Sequence, residues 1–292
     1  MHPVKIWILA IRPKTLWAGF APVLIGTAMA WEADGFHLAS ALVALLSAML
    51  IQIGTNFCND YADFKKGADT EERKGPLRVT QAGLVAPRTM LIATTLVFVL
   101  FALSFFFLVS RGGWPIVLIG VLSIISGIAY TAGPYPLGYH GLGDLFVLIF
   151  FGPVATACTY YVQVQDVSGL IVLAGFSPGL LSVAILTVNN LRDIDGDRVA
   201  GKRTLAVRFG KNFVRMEYIL CIVFALLIPV NLILLTRDHY YALLVLLLIP
   251  VAIPAIRKVL TSTEGPVLNP VLAFTAKMLL IYSVLFSVGW IL

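Results

Sequence analysis

Charged residues make up only 12% of this 292-residue chain, about half the share of an ordinary soluble domain. That scarcity excludes a water-soluble globule. Cysteine is also sparse: Cys58, Cys158 and Cys221 sit in apolar or near-apolar segments without CxxC spacing, which excludes a disulfide framework and a thiolate metal cluster. The opening segment MHPVKIWILAIRPKT has a short apolar stretch closed by Arg12, Pro13 and Lys14, with no small-residue cleavage site after it. It reads as an interfacial amphipathic lead-in over residues 1–14, not as a removable signal.

What the chain has in abundance is apolar length, with 59% hydrophobic residues in runs that recur almost to the last position. A membrane-spanning helix needs about 20 such residues. The runs predict an all-α polytopic membrane protein with about nine transmembrane helices, near 15–31, 38–58, 89–110, 113–131, 143–163, 168–188, 214–235, 239–259 and 269–292. With nine spans, 18 of the 21 Lys and Arg residues fall on the side that carries the N-terminus and the connections after helices 2, 4, 6 and 8. The positive-inside rule assigns that side to the cytoplasm, at the cell (inner or plasma) membrane. The formal charge of +6 is thereby explained by topology, and no nucleic-acid partner is expected. Two of the cytoplasmic connections run to roughly 25–30 residues, longer than a hairpin needs.

Those two connections gather the acids. Eight of the fifteen acidic residues are Asp60, Asp63, Asp69, Glu71 and Glu72 after helix 2, and Asp193, Asp195 and Asp197 after helix 6. If helix 2 continues, Asn56, Asn59, Asp60 and Asp63 share one face at i, i+3, i+4, i+7 spacing; Asn189, Asp193 and Asp197 form a second stripe at i, i+4, i+8, with Asp195 pointing elsewhere. The stripes lie 133 residues apart, which hints at a duplicated four-helix unit. Either stripe alone reads as a solvated helix end. Together they imply chemistry, because a helix C-terminus disfavours acids. If Asp60, Asp63, Asp193 and Asp197 converge at about 7 Å, their repulsion is on the order of 10 kcal/mol at an effective dielectric near 20 and calls for bound cations. Oxygen donors without His or Cys nearby select Mg²⁺ before Zn²⁺, and Mg²⁺ commonly completes its shell with phosphate oxygens, so a phosphorylated ligand is expected. Of the basic residues in these loops, most read as plain positive-inside charge, and Arg78 in GPLR and Lys202 in GKRT are the better candidates for diphosphate contacts.

NDYAD at 59–63 with NNLRDIDGDRVAGKRTLAVRFG at 189–210 resembles the paired aspartate motifs of the UbiA superfamily of intramembrane prenyltransferases. The resemblance runs from about Arg12 to Gly210. RPKTLWAGFAPVLIGTA (12–28), NFCNDYADFKKGADT (56–70) and YTAGPYPLGYHGLGD (130–144) are similar to the branch that prenylates 1,4-dihydroxy-2-naphthoate in menaquinone biosynthesis. The resemblance implies a single domain over 1–292, built as a ring of nine helices around a central cavity. Cytoplasmic cap loops would lie at about 59–88, 132–142 and 189–213, with a lateral opening to membrane lipid for the isoprenoid tail. It implies Mg²⁺-dependent transfer from polyprenyl diphosphate to an aromatic acceptor, with Asn59, Asp60, Asp63, Asn189, Asp193 and Asp197 as metal and diphosphate residues. The broader family often has a third acid four residues after the second. Here that position is Gly67, and Asp69 stands two residues on.

Further candidates are Tyr130, whose ring could face the developing allyl cation, and Arg12, which could hold the acceptor's carboxylate. His140 is a base by residue type only, and no role is assigned to Lys277. Prenyl transfer to 4-hydroxybenzoate, homogentisate or a glycerol phosphate ether remains open. A secondary transporter is the non-enzymatic alternative, opposed by acids at one membrane face instead of the midplane and by a parallel repeat offset.

Overall fold

Proline sets the first break. Residues preceding proline avoid the helical region, and Arg12, before Pro13, takes φ 56° and ψ 67°. The chain therefore forms α1 (Pro3–Ile11) and α2 (Pro13–Glu32), bent by 49°. The computed structural model describes residues 2–67 and 74–292; Asp69, Glu71 and Glu72 lie outside the described residues. The other helices are α3 (Leu38–Lys65), α4 (Pro87–Gly112), α5 (Trp114–Ala129), α6 (Gly143–Ile149), α7 (Ala155–Val164), α8 (Gly169–Val199), α9 (Leu205–Thr236), α10 (Leu248–Thr261) and α11 (Gly265–Ile291). No strand occurs among the described residues.

Each predicted apolar run is helical, but the count of nine spans is approximate. Seven helical stretches are long and apolar enough to cross a bilayer, α6 and α7 counting as one, and the bent pair α1–α2 makes an eighth. The run at 114–129 is shorter, at 16 residues.

Two boundaries move in a way that matters. The acid stripes are not loops: α3 runs through NDYAD to Lys65 and α8 through DIDGD to Val199. The predicted loop 189–213 shrinks to residues 200–204, because α9 starts at Leu205, where the Thr204 side chain caps it by accepting from Val207 N–H. Gly210, at φ 82° and ψ 177°, interrupts the first turns of α9.

The largest buried cluster joins α2, α8, α9 and α11. Tyr218 on α9 and Thr275 on α11 share a hydroxyl hydrogen bond of 2.9 Å within it. A second cluster, including Val23, Ala44, Leu108 and Ile116, packs α2, α3, α4, α5 and α7. The third fixes the loop before α4, with Val79, Val85 and Met90 packed on Ala10 and Phe57. Between the helices lies a cavity of about 370 Å³. Its wall on α3 runs from Ala44 to Asp63, nineteen residues or about 28 Å at 1.5 Å per residue.

Candidate functional site

Helical spacing dictates which oxygens reach the cavity. On α3, Asn56, Asn59 and Asp63 line it; on α8, Asn189, Asp193 and Asp197 do so. The carboxylates of the two rows meet at Lys202, whose Nζ stands 3.5 Å from Asp63 Oδ1 and 3.9 Å from Asp197 Oδ1. Arg78 Nη2 donates to Asp63 Oδ2 at 2.9 Å, and the Tyr139 hydroxyl donates to Asp63 Oδ1 at 2.7 Å. Arg12, Arg78, Tyr130 and Lys202 all line the same space. Asp195 points out, 56% exposed in a 3.6 Å surface pair with Lys74.

Asp60 departs from the expectation that its row shares one face. It does not line the cavity. Its two carboxylate oxygens accept the backbone N–H groups of Val79 and Thr80 at 3.2 and 3.1 Å, which ties the cap loop to α3. The difference is angular: on a 100° per residue helix, Asp60 lies about 60° round from Asp63, enough to face the loop. Asn56 also has structural duties, donating to Ile11 O at 2.9 Å and Thr15 Oγ1 at 3.3 Å across the α1–α2 break.

By sequence Arg192 stands among basic residues that read mostly as positive-inside charge. It is instead 1% exposed and forks onto Asp193, with Nε to Oδ1 at 2.8 Å and Nη2 to Oδ2 at 2.6 Å. It also donates to Asn189 Oδ1 at 2.6 Å and Asn269 Oδ1 at 2.7 Å. Only its adjacency to Asp193 in NNLRD hinted at this. Tyr139 carried no sequence signal. Besides its bond to Asp63, its ring lies under the ammonium groups of Lys66 (4.5 Å) and Lys202 (4.8 Å). Lys66 donates to Thr131 O at 2.6 Å, while the Thr131 hydroxyl donates to Asn59 Oδ1 at 2.6 Å. Burial lowers the pKa of the Lys66 ammonium, against the pull of Asp63 and with the push of Lys202.

Of the four carboxylates expected to converge, Asp63, Asp193 and Asp197 line one cavity and Asp60 does not. The carboxylates are offset by the chain's own cations: Arg192 on Asp193, Arg78 and Lys202 on Asp63, Lys202 on Asp197. Their repulsion alone does not demand a metal. Among the described residues, no three His, Cys, Asp or Glu side chains are grouped to chelate an ion. The donor types are nonetheless those of a hard cation, carboxylate and amide oxygens only.

His140 stacks on Tyr135 at 3.6 Å and lies within hydrogen-bonding distance of Pro136 O, away from the cavity lining. Lys277 is exposed on α11 and also outside that lining. Tyr130 sits in a close-packed corner, where a Cβ on Gly138 or Gly143 would lie 3.0 or 2.9 Å from its ring or hydroxyl.

The UbiA prenyltransferase family matches residues 19–286. The chain belongs to this family. It is 38% identical over 292 residues to 1,4-dihydroxy-2-naphthoate octaprenyltransferase of Escherichia coli (strain K12), covering 98% of this chain and 94% of that protein. It is 36% identical over 281 residues to the protein of the same name in Mycobacterium tuberculosis, covering 95% and 94%. Among solved structures, a UbiA homologue from Archaeoglobus fulgidus bound to DMAPP and Mg²⁺ superposes with a TM-score of 0.64 at 16% identity, covering 97% of this chain and 99% of that one. At that identity the superposition speaks for the fold alone. The UbiA-family chain is thus an integral membrane prenyltransferase.

Proposed function

We propose that this enzyme transfers a polyprenyl group from polyprenyl diphosphate to 1,4-dihydroxy-2-naphthoate, with loss of carbon dioxide, giving demethylmenaquinone. The observation that carries the reading is Lys202 touching one carboxylate from each helix row, directly above an apolar shaft. The relatives from Escherichia coli and Mycobacterium tuberculosis bear this acceptor in their names, and the Archaeoglobus fulgidus homologue holds DMAPP and Mg²⁺.

In this reading Asp63, Asp193 and Asp197, with the amide oxygens of Asn59 and Asn189, would hold Mg²⁺. When bound, Mg²⁺ neutralises the charge that develops on the departing diphosphate. Arg78 and Lys202 release part of their hold on Asp63 to take diphosphate oxygens. Arg192 keeps Asp193 and Asn189 aimed into the cavity. Asp60 acts one step back, by fixing the loop that delivers Arg78.

The allylic C–O bond breaks with its electron pair leaving on the diphosphate. The electron-rich ring carbon bearing the carboxylate then bonds to the allyl carbon, and the C–C pair released with carbon dioxide restores the ring. The apolar lining of the cavity excludes water from the cationic fragment, and Tyr130 offers it a π face. Arg12, where α1 meets α2, orients the acceptor's carboxylate. The cap end faces the cytoplasm, since it carries most of the Lys and Arg residues.

Purified protein offered several aromatic acids with one allylic diphosphate, with and without EDTA, tests the assignment by product mass. Decarboxylated, prenylated naphthoate formed only with Mg²⁺ is expected. Preference for 4-hydroxybenzoate would replace the acceptor, and Mg²⁺-independent turnover would remove the metal.

A further inference from the structure

Below the acid row, α3 carries a second pair of polar side chains, the amides Gln52 and Asn56 at i, i+4, both on the wall of the cavity. Gln52 is 8% exposed and Asn56 4%. A buried amide inside a membrane span is costly unless both of its ends are met.

Both amides turn the same end toward α2. The Thr15 hydroxyl donates to Arg12 O at 2.9 Å, so its one proton is committed and its oxygen is left to accept. Gln52 Nε2 and Asn56 Nδ2 reach that oxygen at 3.4 and 3.3 Å. Asn56 Nδ2 also donates to Ile11 O at 2.9 Å, a carbonyl that only accepts. These partners fix which end of each amide is nitrogen. The oxygen ends are left over: neither Gln52 Oε1 nor Asn56 Oδ1 meets a donor among the described residues.

The wall beside Gln52 is built of small residues. Ala48 stands four residues before Gln52 and Gly19 four after Thr15, so each shares the face of its neighbour. Both line the cavity with Ala18, and a Cβ on Gly19 would stand 3.2 Å from Ala48 O. Such a surface suits a flat ring, and the polar atom set into it is a lone acceptor. It calls for a ligand that brings its own O–H.

The naphthoate acceptor has three polar groups. Its carboxylate belongs with Arg12, on the same stretch of wall as Thr15. The hydroxyl at ring position 1 is ortho to the carboxylate and donates to it within the molecule. The hydroxyl at position 4 lies across the ring without such a partner, so its burial is unfavourable unless the protein supplies an oxygen.

We propose that Gln52 is a specificity-determining residue for the acceptor, its Oε1 accepting the hydrogen bond of the 4-hydroxyl while Thr15 holds the amide in that orientation. The inference rests on the naphthoate reading and adds to it the contact that tells a dihydroxy ring from a monohydroxy one. A site built to bond a substrate hydroxyl rejects the analogue lacking it, because the buried acceptor then stays unpaired.

The test measures dissociation constants of 1,4-dihydroxy-2-naphthoate and 1-hydroxy-2-naphthoate from their intrinsic fluorescence, anaerobically in detergent, with Mg²⁺ and an unreactive prenyl thiolodiphosphate present. Wild-type protein is expected to bind the dihydroxy acid about tenfold more tightly, the share of one hydrogen bond. In Gln52→Leu that preference should shrink to about twofold or less, through weaker binding of the dihydroxy acid alone. Gln52→Met, closer to glutamine in length, gives the same reading should Gln52→Leu fold poorly. No preference in the wild type, a preference that survives both substitutions, or equal weakening of both acids would overturn the proposal, since a merely structural amide affects the two alike. Wild-type protein that binds neither naphthoate would instead remove the acceptor reading itself.

Discussion

Replacing Arg192 by Met probes the site at its most buried charge. The guanidinium is 1% exposed and supplies two hydrogen bonds to Asp193, one to Asn189 and one to Asn269. Met keeps much of the apolar stem volume, so lost packing is small and the electrostatic consequence dominates. Removing one partner of a buried ion pair costs about 3–5 kcal/mol, because the other charge stays behind uncompensated. Asp193 keeps 15% of its side chain exposed and is partly rehydrated, so the expected loss is near the lower end, about 3 kcal/mol. The assay is unfolding in detergent micelles followed by tryptophan fluorescence, run as a double-mutant cycle with Asp193→Asn. Neutralising Asp193 in the Arg192→Met background should recover a substantial part of the loss, giving a coupling of about 1.5–3 kcal/mol. Arg192→Lys separates positioning from charge: it restores much of the stability, yet loses the planar fork and should lower kcat more than it raises KM. Additive single-mutant effects, or an Arg192→Met protein as stable as wild type, would refute the reasoning.

Other substitutions sort the remaining acids by what they touch. Asp63→Asn and Asp197→Asn should each lower kcat by about a hundredfold or more, in the range seen when one electrostatic stabiliser is removed; Asp63→Asn, which takes the buried partner from Arg78, should also lower the unfolding midpoint, whereas Asp197→Asn, 3.9 Å from Lys202, should move it less. Asp60→Ala should act through the cap loop, leaving two buried backbone donors unsatisfied at about 1–3 kcal/mol each, and amide exchange at Val79 and Thr80 should accelerate. Unaltered protection there would mean the loop is held otherwise. Asp195→Ala, which removes an exposed pair with Lys74, should change stability by less than about 1 kcal/mol and leave turnover near wild type. Tyr139→Phe removes a donor to Asp63 while keeping the ring beneath Lys66 and Lys202, so kcat should fall by about tenfold or less while the unfolding free energy changes by about 1 kcal/mol or less.

The apolar runs and the one-sided distribution of basic residues were sufficient to determine an all-helical membrane chain, since a bilayer forces each span to satisfy its own backbone. The i, i+4 spacing of Asn189, Asp193 and Asp197 placed them on one face for the same local reason, and all three reach the cavity. Tertiary structure alone decided which neighbours those oxygens meet. Asp60 and Asp63 belong to the same motif, yet a rotation of some 60° commits one to loop amides and the other to Arg78, Tyr139 and Lys202. Arg192 looks like its basic neighbours in sequence, yet it is buried against Asp193 and also meets Asn269, which α11 brings alongside. Helical periodicity fixes direction about one axis. Distances between helices depend on packing, here on glycine contacts such as Gly152 with Gly175, and a single strand of sequence does not encode that separation locally.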